Sequence, residues 1–290
     1  MVKSKASKTV DWIIVGICSV IILVCLLPVL NVLSRSLSSS DALIRNRVYI
    51  WPVGWNLTSY KHILSDPKYT NSLWWTALLT LMCTVISMVM TTLCAYPLIY
   101  KGLKGRKVIN TLVIFTMYFS AGTIPNYLLI KDLGLLENPL VMMLPSCLSV
   151  FNMIIMRSFF YGIPDSLRES AQIEGCGAFR TLVYIYLPLS TSVMATLALF
   201  YAVGRWNGFS DALMYIKTNK SIYPIQLLLY NLLQNTMSVE IATQEGFTSP
   251  GVSEGIKNAT VMFAMVPILI VYPFLQRYFI AGVTIGAIKE

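Results

Sequence analysis

The chain has 290 residues, is 56% hydrophobic and only 12% charged, and carries a formal net charge of +9. Soluble domains carry about 25% charged residues, so with a mean hydropathy of +0.67 the composition excludes an ordinary soluble domain and indicates an integral membrane protein. The basic residues flank apolar segments instead of forming a stripe interleaved with exposed aromatics, which argues against a nucleic-acid partner.

A membrane-crossing helix needs about 20 mainly apolar residues. Six segments qualify, at 12–33, 73–100, 109–130, 139–160, 189–213 and 259–280. The first follows Lys3, Lys5 and Lys8 like a signal peptide. It exceeds the apolar length of such a peptide, so it is read as a retained first helix. An external loop at 34–72 follows; Trp51, Pro52, Trp55 and Pro67 suit an ordered segment at the membrane surface. The second span stops near Pro97. Loop 101–107 holds Lys101, Lys104, Arg106 and Lys107. With the N-terminus inside, twelve basic residues lie on the cytoplasmic side against nine outside, and six spans place both termini in the cytoplasm. The stretch 214–258, with Gly246, Pro250, Gly251 and Gly255, has two readings: a loop that meets a soluble partner, or a flexible connector. Pro267 and Pro273 interrupt the sixth span, which favours a packed bundle whose neighbours satisfy the freed carbonyls. The expected fold is all-α and polytopic. Its regions are 1–33 (N-terminus and first helix), 34–72 (external loop), 73–280 (core of five helices) and 281–290 (cytoplasmic tail).

Five of the six cysteines lie in apolar segments, none forms a C-x-x-C pair, and His62 is the only histidine. Neither a disulfide framework nor a metal site is expected. No Walker A or His-Glu-x-x-His pattern occurs, so chemistry on this chain is not expected.

Between spans four and five lies a polar, glycine-broken stretch, 163–188. Pro164 ends the preceding helix, and Ser166 with Glu169 three residues later fits a capping box. A short helix through Leu167, Glu169, Ala171 and Ile173 is expected to stop at Gly175. A second helix carries Phe179, Leu182, Val183 and Tyr186 on one face, and Pro188 opens the next span. The result is a cytoplasmic helix–turn–helix with small residues near its tip. It suits either insertion into a partner's groove or packing on the chain's own cytoplasmic face.

These residues resemble the EAA loop of ABC-importer permeases, EAA-x3-G-x9-I-x-L-P. Glu169, Ala171, Gly175, Ile185, Leu187 and Pro188 stand at that spacing, with Ser170 in place of the middle alanine and Glu174 in place of the usual aspartate. The layout is similar to the carbohydrate-uptake, MalG-like family. Stretches such as Thr116-Met-Tyr-Phe-Ser-Ala-Gly122 and Phe200-Tyr-Ala-Val-Gly-Arg-Trp-Asn207 resemble its LplC/YtcP-type subfamily. The resemblance implies a type I ABC importer permease fold with cytoplasmic coupling helices, paired with a second homologous permease subunit. It also implies two cytoplasmic ATPase subunits, which hold ATP and Mg, and an external solute-binding protein that delivers a sugar, an oligosaccharide with uronide-containing sugars within the class. No cofactor is expected on this chain. Glu169, Ser170, Ala171, Glu174, Gly175, Gly177 and Ala178 would form the ATPase-coupling surface, with Glu169 meeting a basic residue and the small residues allowing close approach.

Candidate pathway residues are Arg205, Trp206, Asn207, Asn126, Tyr127 and Asn152. A charge at membrane depth usually faces the interior or a water-filled cavity. Arg205 is expected either to meet an acidic sugar or to pair with a neighbour such as Asp211. Trp206 is expected either to stack on a sugar ring or to anchor at the membrane interface. Asn152 suits an interhelical hydrogen bond, and Arg157 is expected to snorkel to the cytoplasmic surface. The alternatives are an ABC permease for a non-sugar solute and a stand-alone secondary transporter; the latter would leave the long EAA-like match unexplained.

Overall fold

The computed structural model describes residues 5–243 and 250–287, with side chains described over 10–234 and 254–273. In chain order the helices are α1 (Lys5–Ser36), α2 (Ser40–Ile44), α3 (Thr58–Ser65), α4 (Pro67–Ala95), α5 (Arg106–Tyr118), α6 (Thr123–Asp132) and α7 (Val150–Tyr161). There follow α8 (Asp165–Ile173), α9 (Ala178–Thr181), α10 (Leu187–Leu189), α11 (Thr191–Asn207), α12 (Ser210–Tyr215), α13 (Ile225–Thr243) and α14 (Pro250–Ala287). No strand occurs among the described residues. The chain forms two compact units, one of residues 1–70 and 228–266, the other of 71–227 and 267–290.

In the first unit, α1 carries a 27-residue apolar span, Val10–Ser36, exposed at every residue from Val10 to Pro28 and with Ser34 and Ser36 buried in its last turn. A helix apolar on every side suits lipid on every side. Its last turns hold the segment that follows. Asn31 donates to the Tyr49 carbonyl at 2.6 Å, Ser34 donates to that of Ile50, and Ser36 bonds the Tyr60 hydroxyl at 2.8 Å. Arg35 is ion-paired with Glu254. The expected order in 34–72 is therefore built from backbone carbonyls captured by span-end side chains.

In the second unit, α4 ends at Ala95 and tightens into a 3-10 turn over Pro97–Ile99, as expected from Pro97. Among the described residues three helices are long and apolar enough to cross a membrane, or five if each of two bent pairs counts as one; α7, at 12 residues, is a shorter apolar helix. The third expected span is broken: α5 and α6 meet at 113°. Gly122, at φ +93°, supplies a conformation that L side chains resist, and Pro125 cannot donate a helical hydrogen bond back toward the break. The fourth expected span is helical only over α7. A 3-10 turn at Pro139–Met142 and irregular backbone around Pro145 replace its first half. The fifth begins earlier than expected, at Ala178, and bends by 86° before α11. Leu182–Tyr186 form a wide π turn in which Leu187 N–H bonds the Leu182 carbonyl. Pro188 has no N–H to continue the ladder, so the helix yields within two residues. Pro188 therefore lies before the bend and does not open α11.

Two further expectations are corrected. The stretch 214–258 is not a loop: α13 occupies Ile225–Thr243 and α14 starts at Pro250, with 244–249 outside the described residues. Ile225, Leu227 and Leu228 are buried, an apolar pattern masked in sequence by the polar residues around it. Arg157 does not snorkel freely; it donates to the Asn110 side chain on α5.

Candidate functional site: an exposed coupling segment and a polar cavity

The segment 163–188, expected to meet an ATPase, is built by α8, α9 and the π turn. α8 starts directly after Pro164, which makes Ser166 the second helical residue and not the cap; no side-chain cap closes this helix. Its far end is a Schellman motif. Cys176 N–H bonds the Ala171 carbonyl at 2.8 Å and Gly175 N–H that of Gln172 at 3.0 Å. Gly175 sits at φ +79°, the left-handed position this motif requires. Glycine at 175 is thus a backbone requirement.

The segment divides into a face held by the chain and a face left open. Ala171, Leu182 and Tyr186 are buried, so Ala171 allows close approach to the protein itself and is not available to a partner in this structure. Glu169, Ser170, Glu174, Gly175, Gly177 and Ala178 are exposed. So are two large apolar side chains at the tip, Ile173 at 88% and Phe179 at 69%. The expected apolar face 179/182/183/186 is therefore split. Leu182 and Tyr186 are buried in the core whereas Phe179 is exposed.

Beneath the segment lies an aromatic cluster. Tyr96 meets Tyr100, Phe160 and Tyr186 edge-on at centroid distances of 5.3, 6.3 and 5.1 Å, and Tyr100 donates a hydrogen bond to the Tyr96 hydroxyl. Arg168 of α8 lies over the Tyr100 ring at 5.1 Å and pairs with Asp165 at 3.6 Å and Glu169 at 4.0 Å. Helix α8 is thus tied to the ends of α4 and α7 through side chains that carry no signal in the sequence. Tyr96, Tyr100 and Arg168 carry no motif that would have marked them.

Along α4, α7, α11 and α12 lies a cavity of about 590 Å³ lined by Ser87, Ser146, Asn152, Tyr201, Arg205 and Asp211 among others. Ser149 caps α7, accepting from Asn152 N–H at 3.3 Å, which fixes Asn152 in the first turn. Tyr201 hydroxyl bonds Thr91 at 2.6 Å and accepts from Ser149 N–H at 3.1 Å. Arg205 forms a two-pronged ion pair with Asp211.

Of the candidate pathway residues, the structure brings together Arg205 and Asn152. Trp206, buried at 8% exposure, lines a separate apolar hollow of about 270 Å³ with Thr84, Leu199, Val203, Pro267 and Tyr272. Asn207 is exposed and donates to its own helix at Val203. Asn126 is exposed, and Tyr127 stacks on Tyr215 at 6.0 Å. Ser87 and Tyr201 were missed. A signal existed: Cys83, Ser87 and Thr91 recur every four residues on one face of an otherwise apolar helix.

Apolar helices of membrane length, a polar hollow among them and an exposed helix–turn–helix are the features of a membrane transport component. Residues 84–285 match the binding-protein-dependent transport system inner membrane component family, and the chain belongs to that family. It is similar to Protein LplC of Bacillus subtilis (strain 168), 37% identical over 100% of this chain and 98% of that protein. It is also similar to the polygalacturonan/rhamnogalacturonan transport system permease protein YtcP of the same organism, 36% identical over 98% of this chain and 99% of that protein. Among solved structures it resembles a chain of a bacterial ABC transporter involved in the import of the acidic polysaccharide alginate. There the TM-score is 0.85, with 29% identity over 96% of this chain and 99% of that one.

Proposed function

We propose that this chain is a permease subunit of an ATP-driven ABC importer that carries an oligosaccharide across the bacterial cytoplasmic membrane. It pairs with a second homologous permease, receives sugar from an external solute-binding protein and is driven by two ATPase subunits that hold ATP and Mg. Both termini lie in the cytoplasm. The chain itself carries out no chemistry. The observation that carries this reading is the exposed tip of the coupling segment. Ile173 and Phe179 are held out by a rigid Schellman turn on a segment otherwise anchored in the protein. Large apolar side chains presented this way form a docking surface, and a groove on an ATPase subunit is the partner that the family resemblance implies. Glu169, with its side chain 64% exposed, adds a charge at the rim. ATP-driven motion of that groove shifts α8 and, through Arg168 and the tyrosines, the ends of α4 and α7.

The test is tagged purification from native membranes in mild detergent with mass spectrometry of the associated proteins. A second permease, an ATPase and a solute-binding protein are expected. A clean single species that recruits no ATPase even with trapped nucleotide would mean a stand-alone transporter.

A further inference from the structure

Among the residues lining the polar cavity, one buried amide and one buried hydroxyl make no side-chain hydrogen bond among the described residues. Asn152 is 5% exposed and Ser87 is 3% exposed. Both line the cavity, and neither makes a side-chain hydrogen bond among the described residues. Buried amides and hydroxyls are rarely left unpaired, and polar side chains within membrane-spanning segments mark ligand or water pathways. One amide and one hydroxyl offer donors and acceptors together, which is the pattern that sugar hydroxyls match.

The charged lining residues tell a different story. Arg205 directs Nη1 to the Met142 carbonyl at 3.1 Å and to Asp211 Oδ2. It directs Nη2 to the Gly208 carbonyl at 2.8 Å and to Asp211 Oδ1 at 3.1 Å. All four terminal N–H bonds are engaged within the chain, and Nε is sealed from the surface. The one unpaired donor, Nε, is buried out of a ligand's reach, so no accessible guanidinium donor faces a ligand carboxylate, and Asp211 cancels the charge that would attract one.

We infer that this cavity is a subsite for an uncharged, hydroxyl-bearing stretch of sugar, read by Asn152 and Ser87, with Arg205 locked as a structural ion pair that recognises no acid. The inference rests on the importer reading above and sharpens it. If the imported sugar carries uronates, their carboxylates are recognised away from this cavity.

The experiment uses the whole complex in proteoliposomes with its solute-binding protein, and labelled trimers to pentamers of galacturonate, alginate and arabinose. Absence of ATP-driven uptake of all three overturns the carbohydrate reading, and the subsite with it. Where uptake occurs, Asn152→Ala and Ser87→Ala are each expected to raise KM about 5- to 10-fold, with maximal rate within about twofold. Wild-type KM in both variants, with import intact, overturns the subsite alone. The double variant Arg205→Gln/Asp211→Asn is expected to change uptake of charged and uncharged sugars by the same factor. A selective loss of the uronate sugars would overturn the assignment of Arg205. Should the double variant fail to assemble, the KM values of the Asn152 and Ser87 variants decide the matter.

Discussion

Arg168 lies over the Tyr100 ring, 5.1 Å from its centroid, and its side chain is only 19% exposed although it sits on an otherwise polar surface helix. A guanidinium over a tyrosine face contributes about 1 kcal/mol when partly desolvated. Tyr100 in turn bonds Tyr96, which packs on Phe160 and Tyr186. Removing the arginine should free α8 without unfolding the core. In Arg168→Ala we expect faster amide exchange across 165–174, unchanged membrane insertion and at least a fivefold loss of import. Arg168→Lys should recover part of it, because lysine keeps the charge but not the planar face. Equal exchange in the alanine variant and wild type would show that the tie carries no load.

Gly175 has open space around an added Cβ but a φ of +79°. The cost of Gly175→Ala is therefore backbone strain alone, about 1 kcal/mol. It should appear as a lower thermal midpoint and reduced import. Gly175→Asn should be milder, since asparagine tolerates the left-handed region. A neutral alanine variant would mean that the turn readily adopts another geometry.

Glu169 makes only a long, exposed contact with Arg168. Pairs of this kind contribute about 0–1 kcal/mol. Glu169→Ala should leave expression and thermal midpoint close to wild type while lowering import and ATPase co-purification. Wild-type import at normal expression would remove Glu169 from the coupling surface.

Glu137 accepts backbone hydrogen bonds from Lys217 at 2.7 Å, Thr218 at 3.2 Å and Asn219 at 3.1 Å. Those bonds to the charged form, the Lys217 bond first, lower its pKa to about 2. Because the folded value is depressed, the stabilisation is complete above the ordinary carboxylate range near 4.5 and fades as pH falls toward 2. Amide protection at Lys217–Asn219 should hold from pH 7 to 5 and weaken progressively below 4. Glu137→Ala should abolish it at every pH. Protection that survives in that variant would place the restraint elsewhere.

Much of this was legible in the sequence for physical reasons. Membrane-length apolar runs declare themselves by composition alone, and the Pro97 stop and the Gly175 turn follow from the backbone chemistry of single residues. The breaks at Gly122 and Ser190 were not legible, because hydropathy is blind to direction: a bent pair and a straight span have the same apolar length. The capping box failed because α8 starts at Asp165, directly after Pro164, which puts Ser166 inside the first turn instead of at the cap. Arg205 and Asp211 were paired correctly as one of two readings, since a buried charge needs a nearby opposite charge. The cluster of Tyr96, Tyr100 and Tyr186 stayed hidden because it gathers residues from α4's end, the turn after it and the π turn, far apart in the chain.

The apolar rod Val10–Ser36 is about 40 Å long at the helical rise, whereas a bilayer's hydrocarbon core is about 30 Å thick. Every residue from Val10 to Pro28 is exposed, so the thickness of the lipid acts on its lean. A thinner bilayer tips it further and a thicker one rights it. Its C-terminal turn is fastened through Arg35 to Glu254 on α14. The rod is therefore a lever, and the thickness of the surrounding membrane becomes a mechanical load on that ionic joint and on the bonds of Asn31, Ser34 and Ser36 beside it.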